Sequence, residues 1–133
     1  MKTPEKGYRQ LRKGRYSVPE ATYFLTICIK TRTNVTPASE EVFGILLGIN
    51  SRLKEEDVWE LRCLTLMPDH LHAVVRLGHA VTLPDAIRLL KGRASAQFRR
   101  IGLGWQSGCF DHRIRPGELI LAIFHYIFMN PYR

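Results

Sequence analysis

The chain has 133 residues, with 20 Lys and Arg against 12 Asp and Glu for a formal charge of +8; 45% of the residues are hydrophobic and 24% charged. That length supports one domain with a real core and excludes two independent ones, and the composition is that of a folded globular protein. No run approaches the roughly 20 apolar residues of a membrane-spanning helix and the polar start lacks a secretory signal, so a cytoplasmic protein off the membrane is expected, its charge favouring polyanionic partners.

Residues 1–15 carry Lys2, Lys6, Arg9, Arg12, Lys13 and Arg15 against Glu5, with Tyr8 and Tyr16 interleaved. A basic amino-terminal arm over residues 1–20 follows. It is either a solvated terminus or a segment that tracks a phosphate backbone while a tyrosine stacks on a base. TYFLTICIK then alternates Tyr23, Leu25, Ile27 and Ile29 against Thr22, Phe24, Thr26, Cys28 and Lys30, the period of a strand with one core face and one more polar face. After Pro37, Ser39 precedes EEVFGILLGINSRLKEED, whose early acids and apolar Val42, Ile45, Leu46, Ile49 and Leu53 predict an amphipathic helix. Gly44 and Gly48 lower its propensity and suggest close packing.

Two strand-like runs, residues 59–67 and 70–77, flank the turn-forming Pro68-Asp69 and predict antiparallel neighbours. In the second, Leu71, Ala73, Val75 and Leu77 share one face, which puts His70, His72, Val74 and Arg76 in a row on the other. Thr82 or Pro84 opens a second helix, with Leu83, Ile87, Leu90, Ala94, Phe98 and Ile101 at helical spacing, Arg88, Lys91 and Arg99 on another side, and Gly102 and Gly104 ending it. Residues 109–115 read as a short fourth strand. A last helix starts near Pro116 and runs through Leu119, Ile120, Ile123, Phe124 and Ile127 to Pro131.

The order strand, helix, strand, strand, helix, strand, helix belongs to one α+β unit over residues 1–133. A ferredoxin-like antiparallel sheet fits it, with two helices on one face and the carboxy-terminal helix on the other. That arrangement brings Tyr126 towards His70 and His72. The cysteines Cys28, Cys63 and Cys109 match neither a disulfide framework nor a zinc knuckle and read as reduced, mostly buried small residues.

A His-x-His pair on a strand sets two neutral imidazoles on one side, half of a divalent-cation site with positions left for water or substrate oxygens. Histidines that serve only structure are the plain alternative. Tyr126 and Asn130 lie one helical turn apart and present a phenol and a carboxamide together; a core tyrosine with a helix-ending Asn-Pro is the alternative there. Taken jointly, His70, His72 and Asn130 can hold a cation that polarises a phosphate while the Tyr126 oxygen attacks phosphorus. The phenol needs help to ionise, its ordinary pKa being about 10. Arg76, on the histidine side, is a candidate for the scissile phosphate. The arm residues Arg9, Arg12, Lys13 and Arg15 and the helix residues Arg88, Lys91 and Arg99 are candidates for DNA contacts. Asp111, His112 and His125 have no assigned role.

LMPDHLHAVV in the middle and YIFMNP near the end resemble the paired signatures of the HUH single-tyrosine, IS200-like transposases, most closely the REP-associated tyrosine transposases of bacteria. The resemblance continues through RKGRYSVPEATYFLTICIKTR and WQSGCFDHRIR and covers nearly the whole chain in order. It implies that the histidines matched by His70 and His72 bind Mg²⁺ or Mn²⁺, that the amide matched by Asn130 completes the site, and that the tyrosine matched by Tyr126 is the nucleophile. The implied reaction cleaves single-stranded DNA beside a hairpin, giving a 5′-phosphotyrosine link and a free 3′-OH, and rejoins it without ATP. The implied partners are single-stranded DNA hairpins, with the amino-terminal region reading a short sequence beside the hairpin. Relatives act either as a monomer in cis or as a homodimer that exchanges tyrosine helices. Asp69 replaces the family's usual Asn before the first histidine, and many relatives continue past the position of Arg133.

Two other classes compete. A metal-dependent nuclease would use water in place of Tyr126. A nucleic-acid-binding module without chemistry would stack bases on its sheet, although the aromatic pattern of RNA-binding sheets is missing.

Overall fold

The two-sided alternation of the first strand decides how everything else packs. In the computed structural model, which describes residues 17–32 and 36–115, β1 (Thr22–Thr31) buries Tyr23, Leu25, Ile27 and Ile29 on one side. The neighbouring strand β3 (His70–Leu77) contributes Leu71, Ala73, Val75 and Leu77 to that side. Against it lie α1 (Glu40–Glu55) and α2 (Leu83–Arg100), through Val42, Leu46 and Leu53 on the first and Leu83, Ala86, Leu90, Ala94 and Phe98 on the second. One core therefore sits between the sheet and two helices.

Both helices start where their side chains can satisfy the free amides of the first turn. Ser39 accepts from the Val42 amide (3.2 Å) and Thr82 from that of Asp85 (3.4 Å), a cap whose loss costs about 1 kcal/mol in general. Ser17, ahead of β1, accepts from the Leu83 amide (2.9 Å) and ties the strand's approach to α2. Buried Asn50 donates to the Leu46 carbonyl (2.8 Å) and accepts from Trp59 Nε1 (2.6 Å), which locks α1 to β2 (Trp59–Leu66) with the amide satisfied.

The sheet is antiparallel in the order β2-β3-β1-β4, the ferredoxin-like arrangement expected. The carboxy-terminal strand region differs from the expectation of one strand. β4 (Leu103–Trp105) pairs with Ile29, Lys30 and Thr31, while β5 (Phe110–Ile114) pairs with residues 22–26, so two short strands share one edge of β1. Gly102 ends α2 in the left-handed region (φ 85°), but Gly104 lies within β4. β2 carries an irregularity between Leu61 and Cys63, a one-residue insertion that restores Cys63 and Thr65 to the face of Val74 and His72. No helix among the described residues is long and apolar enough to cross a membrane. The expected last helix and the basic arm lie outside the described residues.

Gly44 and Gly48, expected to allow close packing, face open space: a methyl group at either meets nothing within 4 Å. Gly78 is the glycine that close approach requires, since a Cβ there would stand 2.2 Å from the Asp57 carbonyl oxygen. That carbonyl accepts from the amides of His79 (3.1 Å) and Ala80 (3.0 Å), so it has no freedom to retreat. Gly78→Ala is expected to lower stability in denaturant unfolding by about 1–3 kcal/mol, and Gly44→Ala to raise it by about 0.5–1 kcal/mol. Equal responses would contradict this packing.

Candidate metal centre on the second sheet face

The second face of the sheet is built in cross-strand rows, because directly paired antiparallel residues project to the same side. Thr65, His72, Thr26 and Phe110 form one row across β2, β3, β1 and β5; Cys63, Val74, Phe24 and His112 form the next. On the other flank, Cys28 pairs with His70, and Lys30 follows two residues further along β1. The hairpin turn that delivers His70 is closed by Met67 N donating to the His70 carbonyl (2.8 Å) and is tied to β1 by Ile29 N donating to the Asp69 carbonyl (2.9 Å).

His70 and His72 are 6% and 3% exposed, and their rings meet edge to face with Nε2 atoms 3.2 Å apart. Each is oriented through its other nitrogen. His70 Nδ1 lies 2.7 Å from Asp69 Oδ1, an accepting oxygen, so Nδ1 is the donor in this bond and the neutral tautomer it selects has its lone pair on Nε2. His72 Nδ1 lies 3.0 Å from Thr26 Oγ1, a hydroxyl able to accept or donate. With Thr26 donating, His72 Nε2–H bonds to His70; with Thr26 accepting, both Nε2 lone pairs face one point. Phe24 stacks on His72 (centroids 5.3 Å apart, planes at 20°) and fixes the ring plane.

That donor set fits a divalent cation. Two imidazole nitrogens bound at about 2.1 Å stand ~3.0–3.4 Å apart at octahedral to tetrahedral angles, which brackets the observed 3.2 Å. Burial, and after it the neighbouring His70, push the His72 pKa down from near 6.5 to about 4, keeping the ring neutral as a ligand must be. Among the described residues no group of three His, Cys, Asp or Glu gathers around a metal position. Asn130, Tyr126 and His125 lie outside the described residues.

The expected DNA-contact residues are spread over the molecule. Arg76 is on the histidine face, but its guanidinium is held by Glu20, through Oε1 (3.3 Å) and the main-chain carbonyl (3.4 Å). Arg88 pairs with Asp85, Arg99 is exposed, and Lys91 Nζ donates to the carbonyls of Gln106 (3.2 Å) and Gly108 (2.9 Å). All three are on α2, the layer opposite the histidines. Arg9, Arg12, Lys13 and Arg15 lie outside the described residues. The cysteines form no disulfide, as expected, but are not buried: Cys28 is exposed, Cys63 and Cys109 half-buried. Two contributors were missed. Thr26 carried no signal until its register with His72 was known, and Lys30, an exposed cation on the histidine face, was visible in the alternation of β1 yet not singled out.

A family model described as "Transposase IS200 like" matches residues 17–108, and the chain belongs to that family. The ISDra2 transposase TnpA of Deinococcus radiodurans is 29% identical over 86 residues, 65% of this chain and 60% of that protein, so the chain spans about three fifths of this curated relative. A solved REP-associated tyrosine transposase bound to a REP hairpin superposes with a TM-score of 0.64 at 21% identity, over 88% of this chain and 70% of its own. A Deinococcus radiodurans R1 protein described as a transposase gives 0.58 at 24% identity, over 88% and 95%. These structures establish a shared fold.

The lowered His72 pKa carries a sign for stability. The unfolded chain binds a proton near pH 6.5 that the folded chain refuses until about pH 4, so this group leaves stability flat above pH 6.5 and erodes it as pH falls through that window. Denaturant midpoints measured from pH 7 to pH 4 are expected to fall less steeply for His72→Gln than for the unsubstituted protein; parallel curves would contradict the assignment.

Proposed function

We propose that the chain cleaves and rejoins single-stranded DNA at hairpin sequences, with Tyr126 as nucleophile and His70, His72 and Asn130 holding a divalent cation, Mg²⁺ or Mn²⁺. The observation that carries this reading is a pair of buried imidazoles whose Nε2 atoms stand 3.2 Å apart, each ring held through its other nitrogen by Asp69 or Thr26. When bound, the cation polarises the scissile phosphate and offsets the charge that builds on it.

The chain's own residues supply the rest. Tyr126 gives up its phenolic proton as its oxygen bonds to phosphorus, and the bond from phosphorus to the 3′ oxygen breaks. That oxygen leaves as a free 3′-OH and takes up a proton, and the 5′ side stays on the enzyme as phosphotyrosine. Attack by a 3′-OH reverses the step, and the bond energy is conserved throughout. Clamping and orientation of an in-line displacement are most of what such a step requires. With Arg76 engaged by Glu20, Lys30 is the cation placed to attract the phosphate at the His70 end of the site. The arm with Arg9, Arg12, Lys13 and Arg15 is the segment for reading sequence beside the hairpin, and Arg88 and Arg99 add long-range attraction.

The test is incubation with labelled hairpin DNA and Mn²⁺ followed by denaturing electrophoresis. A covalent adduct that survives SDS and disappears with EDTA, with Tyr126→Phe and with His70→Ala is expected. Cleavage that persists in Tyr126→Phe would replace this reading with a nuclease that uses water, and binding with no adduct or cleavage would replace it with a binding module.

A further inference from the structure

Arg76 stands at the far end of the histidine row on β3, after His72 and Val74, where it pairs with Thr22 at the start of β1. Four residues of strand put its backbone ~13 Å from that of His72. That is too far for the phosphate at the histidine pair and within reach of a phosphate further along an extended single strand. The Arg76 side chain is 42% exposed and rests on Glu20, itself 58% exposed: Nη2 donates to Oε1 (3.3 Å) and Nε to the main-chain carbonyl (3.4 Å). Both bonds are long beside the separations of about 2.7–2.9 Å usual for charge-assisted pairs. Elsewhere the chain closes such a fork, since Arg93 donates from both terminal nitrogens to the two oxygens of Glu56, at 3.1 and 2.7 Å. A loosely closed, exposed pair contributes little to stability and opens at little cost.

Glu20 occupies its place against the preference of its backbone. It is one of two non-glycine residues with left-handed backbone among those described (φ 71°), and its amide is fixed on the Leu77 carbonyl (2.7 Å). Glycine meets that conformation without steric cost; what glutamate adds is the carboxylate. The second carboxylate oxygen faces His79 Nε2 (3.3 Å), and His79 is held in turn by Asp57, through Nδ1 (3.4 Å) and its own amide (3.2 Å). Glu20 can therefore let go of Arg76 and keep His79. The three side chains line an open cleft of about 250 Å³, which leaves the carboxylate room to swing. Glu60, the cross-strand neighbour of Arg76, is answered by Lys54 (3.5 Å) and Arg62 (3.4 Å) and places no further claim on the guanidinium.

We propose that Glu20 holds Arg76 as a stand-in for a DNA phosphate. A single strand laid along β3 from the histidine pair displaces the carboxylate, and the guanidinium fork closes on a backbone phosphate beyond the scissile one. Glu20 thereby sets how strongly the chain grips single-stranded DNA, whatever its sequence. This deepens the DNA-processing reading and rests on it.

The probe is a fluorescein-labelled oligothymidylate, bound in EDTA so that no chemistry intervenes and followed by anisotropy across a salt series. Arg76→Gln is expected to bind about tenfold more weakly and to lose about 0.7 from the slope of log affinity against log salt, the share of one single-strand phosphate; Arg76→Lys, which keeps the charge, is expected to keep the slope. Glu20→Gln is expected to bind about fivefold more tightly while Arg76 is present and to gain almost nothing in the Arg76→Gln background, a coupling that the double-mutant cycle isolates. If Arg76 only neutralised Glu20, the bare carboxylate left by Arg76→Gln would repel DNA, and Glu20→Gln would gain more in that background. That pattern, or equal gains in both backgrounds, overturns the proposal when circular dichroism is unchanged. So does an unsubstituted chain that does not bind the probe. The expected coupling without any tyrosine adduct on hairpin DNA would retire strand transfer and leave the phosphate contact standing; an adduct with equal gains in both backgrounds would do the reverse.

Discussion

Two hydrogen bonds from behind, Asp69 to His70 and Thr26 to His72, set the direction of both Nε2 atoms, and the site depends on that direction. A free imidazole pair on a strand would rotate about χ1 and χ2 and present its lone pairs apart. Burial between Phe24 and the neighbouring strands removes that freedom, and it also holds His72 neutral. The Thr26 hydroxyl matters because it can reverse its role, accepting where it had donated, so the neutral His72 ring can carry its proton on Nδ1 and not on Nε2 without losing its partner.

The sheet separates stability from chemistry by the two-residue period of its strands. One side of β1 and β3 is packed by α1 and α2 into the main core. The other side carries a small apolar group, Phe24, Val74 and Ile114, beside the histidines. Substitutions on this second side therefore change the site with little effect on the packing of the helices. The helix layer still serves the site indirectly. Lys91 reaches past the sheet edge to the loop before β5, and the cation that a sequence reader assigns to DNA is used to hold main chain.

Sequence period and caps made much of this legible. The odd and even residues of β1 sort onto the two faces as the alternation of Tyr23 to Lys30 requires, and Ser39 and Thr82 mark the helix starts. His70 and His72 share a face by strand geometry alone. What was not legible depends on pairings between distant segments. The division of the last strand region into β4 and β5 follows from how the loop at residues 106–109 is pinned, and no local signal announces it. The partnership of Thr26 with His72 spans 46 positions, and the capture of Arg76 by Glu20 spans 56; a propensity or a period carries no information over such distances. Gly44 and Gly48 misled for a related reason, since a glycine pair on a helix reads as close packing whether or not a neighbour lies opposite.

The central claim is that the oriented histidine pair is a divalent-cation site, and Mn²⁺ uptake followed by electron paramagnetic resonance tests it most directly. The account predicts that the unsubstituted protein takes up Mn²⁺, that His72→Ala abolishes uptake, and that Thr26→Val, which removes only the orienting hydroxyl, weakens it by about 10–100-fold. Uptake of the same strength in all three proteins would contradict it.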